Sequence, residues 1–307
     1  MKNTVDRLVR YFTEGVGTYT TGATVGIEVE TQFIDDAGRP ITSSIADKIF
    51  RSSFSFWNDD SWNATAMNDV TITEMTRVHG DDRMLYELGR HNIELSFSPR
   101  AREIAVDEAV VVLERLMVVA RGCGAYPFLG PVFESDENLL LIPDERDATW
   151  LALDGIKALN LLARTSSVQF TIDVRPENAI LLLNELGKKI WTFLPEYPQD
   201  ALWKRYIAES PAGYKSDRYG GPLFFRNIED YCERLVEHNV VLNNKLVPHE
   251  EVASLNIPLF IRSVWWHFRL KRYGERLCIE IRPLPRKSNE SIRDQFSLVQ
   301  SIVNPFL

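Results

Sequence analysis

Residues 25–35 read VGIEVETQFID, and this run carries side chains that can do chemistry. Ile27, Val29 and Thr31 alternate with Glu28, Glu30 and Gln32, the period of a β-strand. The alternation sets two carboxylates on one face, about 7 Å apart. Such a face is either solvated or built around a cation, and three further segments repeat the pattern. HNIELSFSP sets Asn92, Glu94 and Ser96 against Ile93, Leu95 and Phe97. TSSVQFTIDV sets Ser167, Gln169, Thr171 and Asp173 against Val168, Phe170 and Ile172, and LCIEIRPLP sets Glu280 and Arg282 against Ile279 and Ile281. Short carboxylates dominate these polar faces, with few lysines to balance them. Glutamates crowded on one face repel each other unless a cation sits among them. Oxygen ligands without Cys or His suit Mg²⁺ or Mn²⁺. On this reading Glu28 and Glu30 hold metal and face Glu94 and Glu280 across a sheet; the alternative is a wetted outer face. Arg282 shares a face with Glu280, which calls for a buried pairing or an anion-binding role.

Other chemistry is weaker in the sequence. His79, His91, His238, His249 and His267 show no metal-ligand spacing, and each is expected to be structural or exposed. There is no G-x-S-x-G elbow and no Walker-type phosphate loop. Trp265-Trp266 reads as core. Arg262, Arg269, Lys271, Arg272 and Arg276 read as a solvated hairpin that can also supply a phosphate contact or two.

The elements that must position these residues are mixed. A helix is expected over 3–14, with Val5, Leu8, Val9 and Phe12 on one face, and a strand over 24–34 ending in the turn signal DDAG. Residues 51–69, rich in Ser, Asn, Asp and Trp, read as loop. A strand follows around 91–97. A helix then starts at Ser98-Pro99 and ends at Gly122. Further helices are expected over 148–162 and from Pro176 onward, with a strand over 165–174 between them. A strand pair over 261–270 and 277–283 turns at RYGE, and YKSDRYGGP (214–222) reads as a glycine-containing basic loop. No regular βαβ run appears, which predicts an α+β fold with a mainly antiparallel sheet. No Pro/Gly/Ser-rich linker divides the chain, so 1–307 is expected to be a single domain.

The net charge of −8 and the pI near 5.3 argue against nucleic acid or an anionic membrane as partner. Three cysteines without regular spacing suggest a reducing compartment and no disulfide framework. The N-terminal stretch MKNTVDRLVRYFTEG lacks the apolar core of a signal peptide. The apolar run AVVVLERLMVVA is broken by charge and too short to span a bilayer. A cytoplasmic protein is expected; the sequence leaves its oligomeric state open.

Taken in order, these motifs resemble the glutamate–cysteine ligases, carboxylate–amine ligases with a glutamine synthetase-like catalytic domain. TVDRLVRYFTEG followed by VGIEVETQFID is similar to the N-terminal helix and Gly-x-Glu-x-Glu metal strand of the plant-type branch. YELGRHNIELSFSP resembles the next metal segment, with Glu87 and Glu94 as its acidic pair. RTSSVQFTIDV is similar to the Arg-Thr-x-x-Val-Gln strand that carries Gln169. YKSDRYGGPLFF resembles a substrate loop, and LCIEIRPLP the late Glu-x-Arg strand. The segment 123–147 matches none of the family's motifs.

The resemblance implies an antiparallel sheet with a polar concave active-site face and helices packed on the apolar face. It implies two or three Mg²⁺ ions, with Mn²⁺ as a substitute, held by Glu28, Glu30, Glu87, Glu94 and Glu280, with Gln169 as a neutral oxygen ligand. Arg282 would be the catalytic residue that meets the transferred phosphate, and Lys215, Arg218 and Arg226 would bind the amino-acid carboxylate. ATP, glutamate and cysteine, or another amine, are the implied substrates, with glutathione biosynthesis as the setting. A phosphotransferase and a non-catalytic binding protein on the same fold are the competing readings.

Overall fold

The computed structural model describes residues 2–56, 62–67, 71–77, 81–141, 145–252 and 257–306. Its centre is a nine-stranded antiparallel sheet. The strands are β1 (Thr24–Ile34), β2 (Trp62–Met67), β3 (Thr71–Arg77), β4 (Arg83–Tyr86), β5 (Asn92–Ala101), β6 (Tyr126–Phe128), β7 (Ser167–Asp173), β8 (Phe268–Tyr273) and β9 (Arg276–Pro285). They lie in the order β8-β9-β7-β1-β5-β4-β3-β2. The short β6 pairs the far end of β1, beyond the stretch that pairs β7. The four motif-bearing strands β9, β7, β1 and β5 are thus consecutive neighbours. The mixture of helix and antiparallel sheet is the α+β class expected.

The alternation read in the sequence decides what packs where. Ile27, Val29, Ile93, Leu95, Val168, Phe170, Ile172, Ile279 and Ile281 are all buried in the main core. The helix Arg102–Gly122 packs on β1 and β5, and the helix Pro176–Lys188 packs on β8 and β9. The helix Ser291–Val303 packs against both of these helices, and the ring of Phe296 sits 5.3 Å from that of Phe170 on β7. Each such side chain contributes about 1.5–3 kcal/mol relative to exposure.

Three local expectations are corrected. Residues 51–56 are not loop: they finish the helix Ser43–Phe56, whose buried Ala46, Ile49 and Phe50 recur at helical spacing among the serines. Residues 62–67 are strand β2, paired with β3, and the rest of that expected loop, 57–61 and 68–69, lies outside the described residues. β5 continues through Ser98-Pro99 to Ala101, so the following helix starts at Arg102. Pro99 is tolerated there because the β1–β5 register shifts between Val25 and Ile27, and proline in a strand is confined to edges and bulges. Finally, Ile257–Arg262 is helical, and the hairpin begins only at Phe268.

A second, smaller core forms from the helices Glu145–Leu162 and Gln199–Glu209 with the 214–219 segment. Gly155 breaks the first of these helices with φ 73°, a conformation that costs glycine nothing. Among the described residues, no helix is long and apolar enough to cross a membrane.

Candidate functional site

The register brings the glutamates together. On β1 and β5, Glu30 stands directly opposite Glu94 and Glu28 opposite Ser96; on β1 and β7, Glu28 stands opposite Gln169. Directly opposed residues have Cβ atoms about 4.5–5.5 Å apart, and like charges in that relation repel. Glu30 and Glu94 are each only 8% exposed. Burial, and then the charges of Glu87 and Glu28, push the Glu30 carboxyl up to about 8. Burial and the charges of Glu28, Glu87 and Glu30 raise Glu94 well above the usual carboxylate range. Glu87 follows β4, its backbone N–H donating to Asn92 O at 3.1 Å. Four of the expected metal ligands therefore form one electrostatic cluster.

Glu30 is partly satisfied: the Ser167 backbone N–H donates to Oε2 at 2.8 Å and Gln169 Nε2 to Oε1 at 3.2 Å. The carbonyl of Gln169 is already engaged, accepting from Arg282 Nη1 at 3.0 Å. As placed, Gln169 presents its N–H₂ group to the glutamates, not the oxygen a metal requires.

Glu280 stands apart from the other four. It is fully buried, and its carboxylate contacts Arg269, Lys271 and Arg282. Burial opposes ionisation, but these three cations outweigh it and hold the carboxyl well below its ordinary value. Arg282 is held protonated by Glu280, Tyr197, Glu28 and Glu30 against the effect of burial. Its guanidinium carbon lies 6.0 Å from the centre of the Trp203 ring.

Through Trp203 the second core borders this site. Trp203 packs on Trp265 and stacks on Tyr219. Trp265 also touches Trp150, Tyr206 and Tyr214. Arg218 is buried against this cluster, 4.4 Å from the Tyr214 ring and 5.1 Å from that of Trp265. Its Nη1 donates to Asn239 O, while Nε and Nη2 have no hydrogen-bond partner among the described residues. Lys215 is exposed. Arg226 is exposed and paired with Asp230 and Glu233. The three expected substrate cations thus occupy different environments.

Trp266 is core, as expected, and donates from Nε1 to Asp217 O. His91, His238, His249 and His267 are all buried, whereas His79 lies outside the described residues. His267 Nε2 lies 3.3 Å from Asp200 Oδ1, which also accepts from Tyr219 OH at 3.1 Å. No local sequence pattern marks this polar group near Arg282. Of the two roles expected of the basic hairpin, a solvated face or a phosphate contact, the burial of Arg269 and the partial burial of Lys271 speak against the first. Their place opposite β9 was the signal: Arg269 pairs in register with Glu280, and Lys271 with Cys278.

The donor set fits a hard divalent cation. Glu28, Glu30, Glu87 and Glu94 offer only carboxylate oxygen, and two of them are buried with raised pKa values that a cation would reverse. Among the described residues, however, no three such side chains are already gathered around one point.

No family model and no curated protein sequence matches the chain. Solved structures do resemble it. A glutamate–cysteine ligase from Francisella tularensis in complex with AMP superposes with a TM-score of 0.50 at 10% identity, covering 94% of this chain and 67% of the other. A bifunctional glutathione synthetase from Pasteurella multocida gives 0.43 at 11% identity, over 98% and 40%. A glutamine synthase homologue gives 0.42 at 12% identity, over 100% and 59%. The first of these likenesses establishes a shared fold.

Proposed function

We propose that the chain is an ATP-dependent carboxylate–amine ligase, a single catalytic domain over 1–307 that works in the cytoplasm. The observation that carries this reading is the buried Glu30–Glu94 pair, flanked by Glu28 and Glu87 and bordered by Arg282. Carboxylates crowded and buried in this way repel each other, and a bound cation would relieve that repulsion. The likeness in fold to a glutamate–cysteine ligase that was solved with AMP supports nucleotide use.

In the proposed reaction, a glutamate γ-carboxylate oxygen attacks the γ-phosphorus of ATP and ADP leaves. The cysteine amine then attacks the acyl carbon, phosphate leaves, and the amine gives up its proton as the amide forms. Phosphoryl transfer needs alignment and charge neutralisation more than a protein nucleophile. Bound Mg²⁺, with Mn²⁺ as a substitute, would neutralise charge on the phosphates. Glu28, Glu30, Glu87 and Glu94 would hold it. Gln169 would orient Glu30 and Arg282, and Arg282 would meet the transferring phosphoryl oxygens. Arg218, whose Nε and Nη2 have no hydrogen-bond partner among the described residues and which lies against the Tyr214 ring, is the best placed of the three candidate cations to take a substrate carboxylate. Lys215 and Arg226 would act from the surface.

The test is phosphate release by purified protein with ATP, Mg²⁺ and glutamate, with and without cysteine, and product masses read in parallel. γ-Glutamylcysteine formation supports the full reading. An amide formed only with another amine keeps the ligase class and replaces the acceptor. Phosphate release indifferent to every amino acid leaves a phosphotransferase or a bare ATPase.

A further inference from the structure

The glutamate of β9 is surrounded in a way that a metal ligand is not. Its carboxylate touches three cations: Arg269 and Lys271 from β8, and Arg282 from its own strand. Arg269 is also tied to the backbone, donating from Nη1 to Ile261 O at 3.1 Å and Val264 O at 2.7 Å. It serves the fold. Lys271 and Arg282 differ. Their side chains keep 19% and 17% of their surface, whereas Glu280 keeps none. The side-chain hydrogen bonds of Arg282 to Gln169 Oε1 and Glu280 Oε2 are both made from Nη1. Both cations also lie within the field of Glu28, which places them beside the glutamate cluster. A carboxylate this fully neutralised has little attraction left for a divalent ion. Three cations against Glu280 and the nearby Glu28 still leave positive charge over, and cations this far removed from solvent favour an anionic partner.

We infer that Lys271 is a phosphate-binding residue and that Glu280 positions Lys271 and Arg282 for phosphate oxygens instead of holding metal. The ligand class is the terminal phosphates of a nucleoside triphosphate, so the inference rests on the ATP-dependent reading above. Lys271 acts as a point charge and Arg282 as a planar fork, a pairing suited to a group with several equivalent oxygens. Glu280 holds both side chains where a free lysine would wander.

The test compares binding of ATP, AMP and inorganic tripolyphosphate to the full chain by calorimetry. Lys271→Met alone changes the net charge of the cluster, so the charge-balanced pair Lys271→Met with Glu280→Gln is measured beside it, together with Lys271→Arg. The pair should bind ATP and tripolyphosphate about tenfold or more weakly, the loss of one charge-assisted hydrogen bond. AMP binding should change by less than about twofold, and Lys271→Arg should keep most of the triphosphate affinity. In a Mn²⁺ titration followed by EPR, Glu30→Gln should weaken binding about tenfold or more, as loss of a ligand does, while Glu280→Gln changes it by less than about twofold. Unchanged triphosphate affinity in the folded pair overturns the inference, as does a Mn²⁺ loss in Glu280→Gln equal to that in Glu30→Gln. Wild-type protein that binds tripolyphosphate through Lys271 but not ATP keeps the clamp and removes the ligase reading; binding of neither overturns both.

Discussion

Arg282 Nη1 donates to Gln169 Oε1 at 3.0 Å, and this bond fixes which way the amide of Gln169 faces. Arginine is donor-only, so the carbonyl must turn to it, and Nε2 then points at Glu30 Oε1, 3.2 Å away. One neutral side chain thereby ties the carboxylate cluster on β1 to the cation on β9. Gln169→Leu, close in volume but unable to make either bond, should leave the protein folded and lower kcat for ATP turnover about 10- to 100-fold, the scale of a misaligned site. Its KM for ATP should move little. A kcat within about twofold of wild type would show that the bridge orients nothing in the reaction.

The glutamate cluster gives a prediction in which stability and activity part company. Glu30→Gln removes a buried ionisable carboxyl that faces Glu94, and the new amide oxygen can still accept from the Ser167 N–H. The melting temperature without metal should hold or rise. The stabilisation conferred by Mg²⁺ with ATP should vanish, because only ligands that bind the native state contribute it. Turnover should fall at least about 100-fold, as expected when several kcal/mol of charge neutralisation are lost. A metal-free protein that is clearly less stable than wild type would mean that Glu30 is a structural acceptor and not a metal ligand.

Much of this site was legible because a β-strand translates sequence parity directly into faces. Glu28, Glu30, Glu94, Gln169, Glu280 and Arg282 could be placed on polar faces from alternation alone. Alternation does not give register, and register is what separates Glu280 from the other glutamates. Only the pairing of β8 with β9 puts Arg269 opposite Glu280, and so decides between the solvated face and the anion-contacting role that the basic hairpin left open. The helix Ser43–Phe56 was hidden for a different reason. Its serines have the composition of a loop, and tertiary burial of Ile49 and Phe50, not local propensity, holds it helical. The aromatic cluster around Trp203 and Trp265 joins segments more than fifty residues apart, which no local pattern encodes.

Arg218 and Arg226 looked alike in the sequence and differ in the structure. Arg218 is buried, with no hydrogen-bond partner for Nε and Nη2 among the described residues, whereas Arg226 is exposed and paired with Asp230. Arg218→Lys keeps the charge but loses the planar stack on Tyr214, and should raise the KM for glutamate about tenfold or more with a smaller change for ATP. Arg226→Ala should change either KM by less than about twofold, since exposed ion pairs contribute little. Equal effects of the two substitutions would remove the distinction.

The raised carboxyls also set a pH dependence whose sign can be worked out. Burial and neighbouring charge carry Glu30 from its ordinary 4.5 up to about 8, and Glu94 moves the same way. Between those pH values the native state binds more protons than the unfolded chain, so stability falls as pH rises. This contribution is fully present below about 4.5 and is lost as pH rises through about 8. A divalent cation competes with those same protons, so its affinity should climb over the same interval. Metal-free protein should therefore melt at progressively lower temperature from pH 6 to pH 8.5, with the decline attributable to the cluster reduced in Glu30→Gln. The increment in melting temperature from saturating Mg²⁺ should grow over the same range. A Mg²⁺ increment that stays constant or shrinks with rising pH would show that the cation does not displace protons from Glu30 and Glu94, and would place any metal site elsewhere.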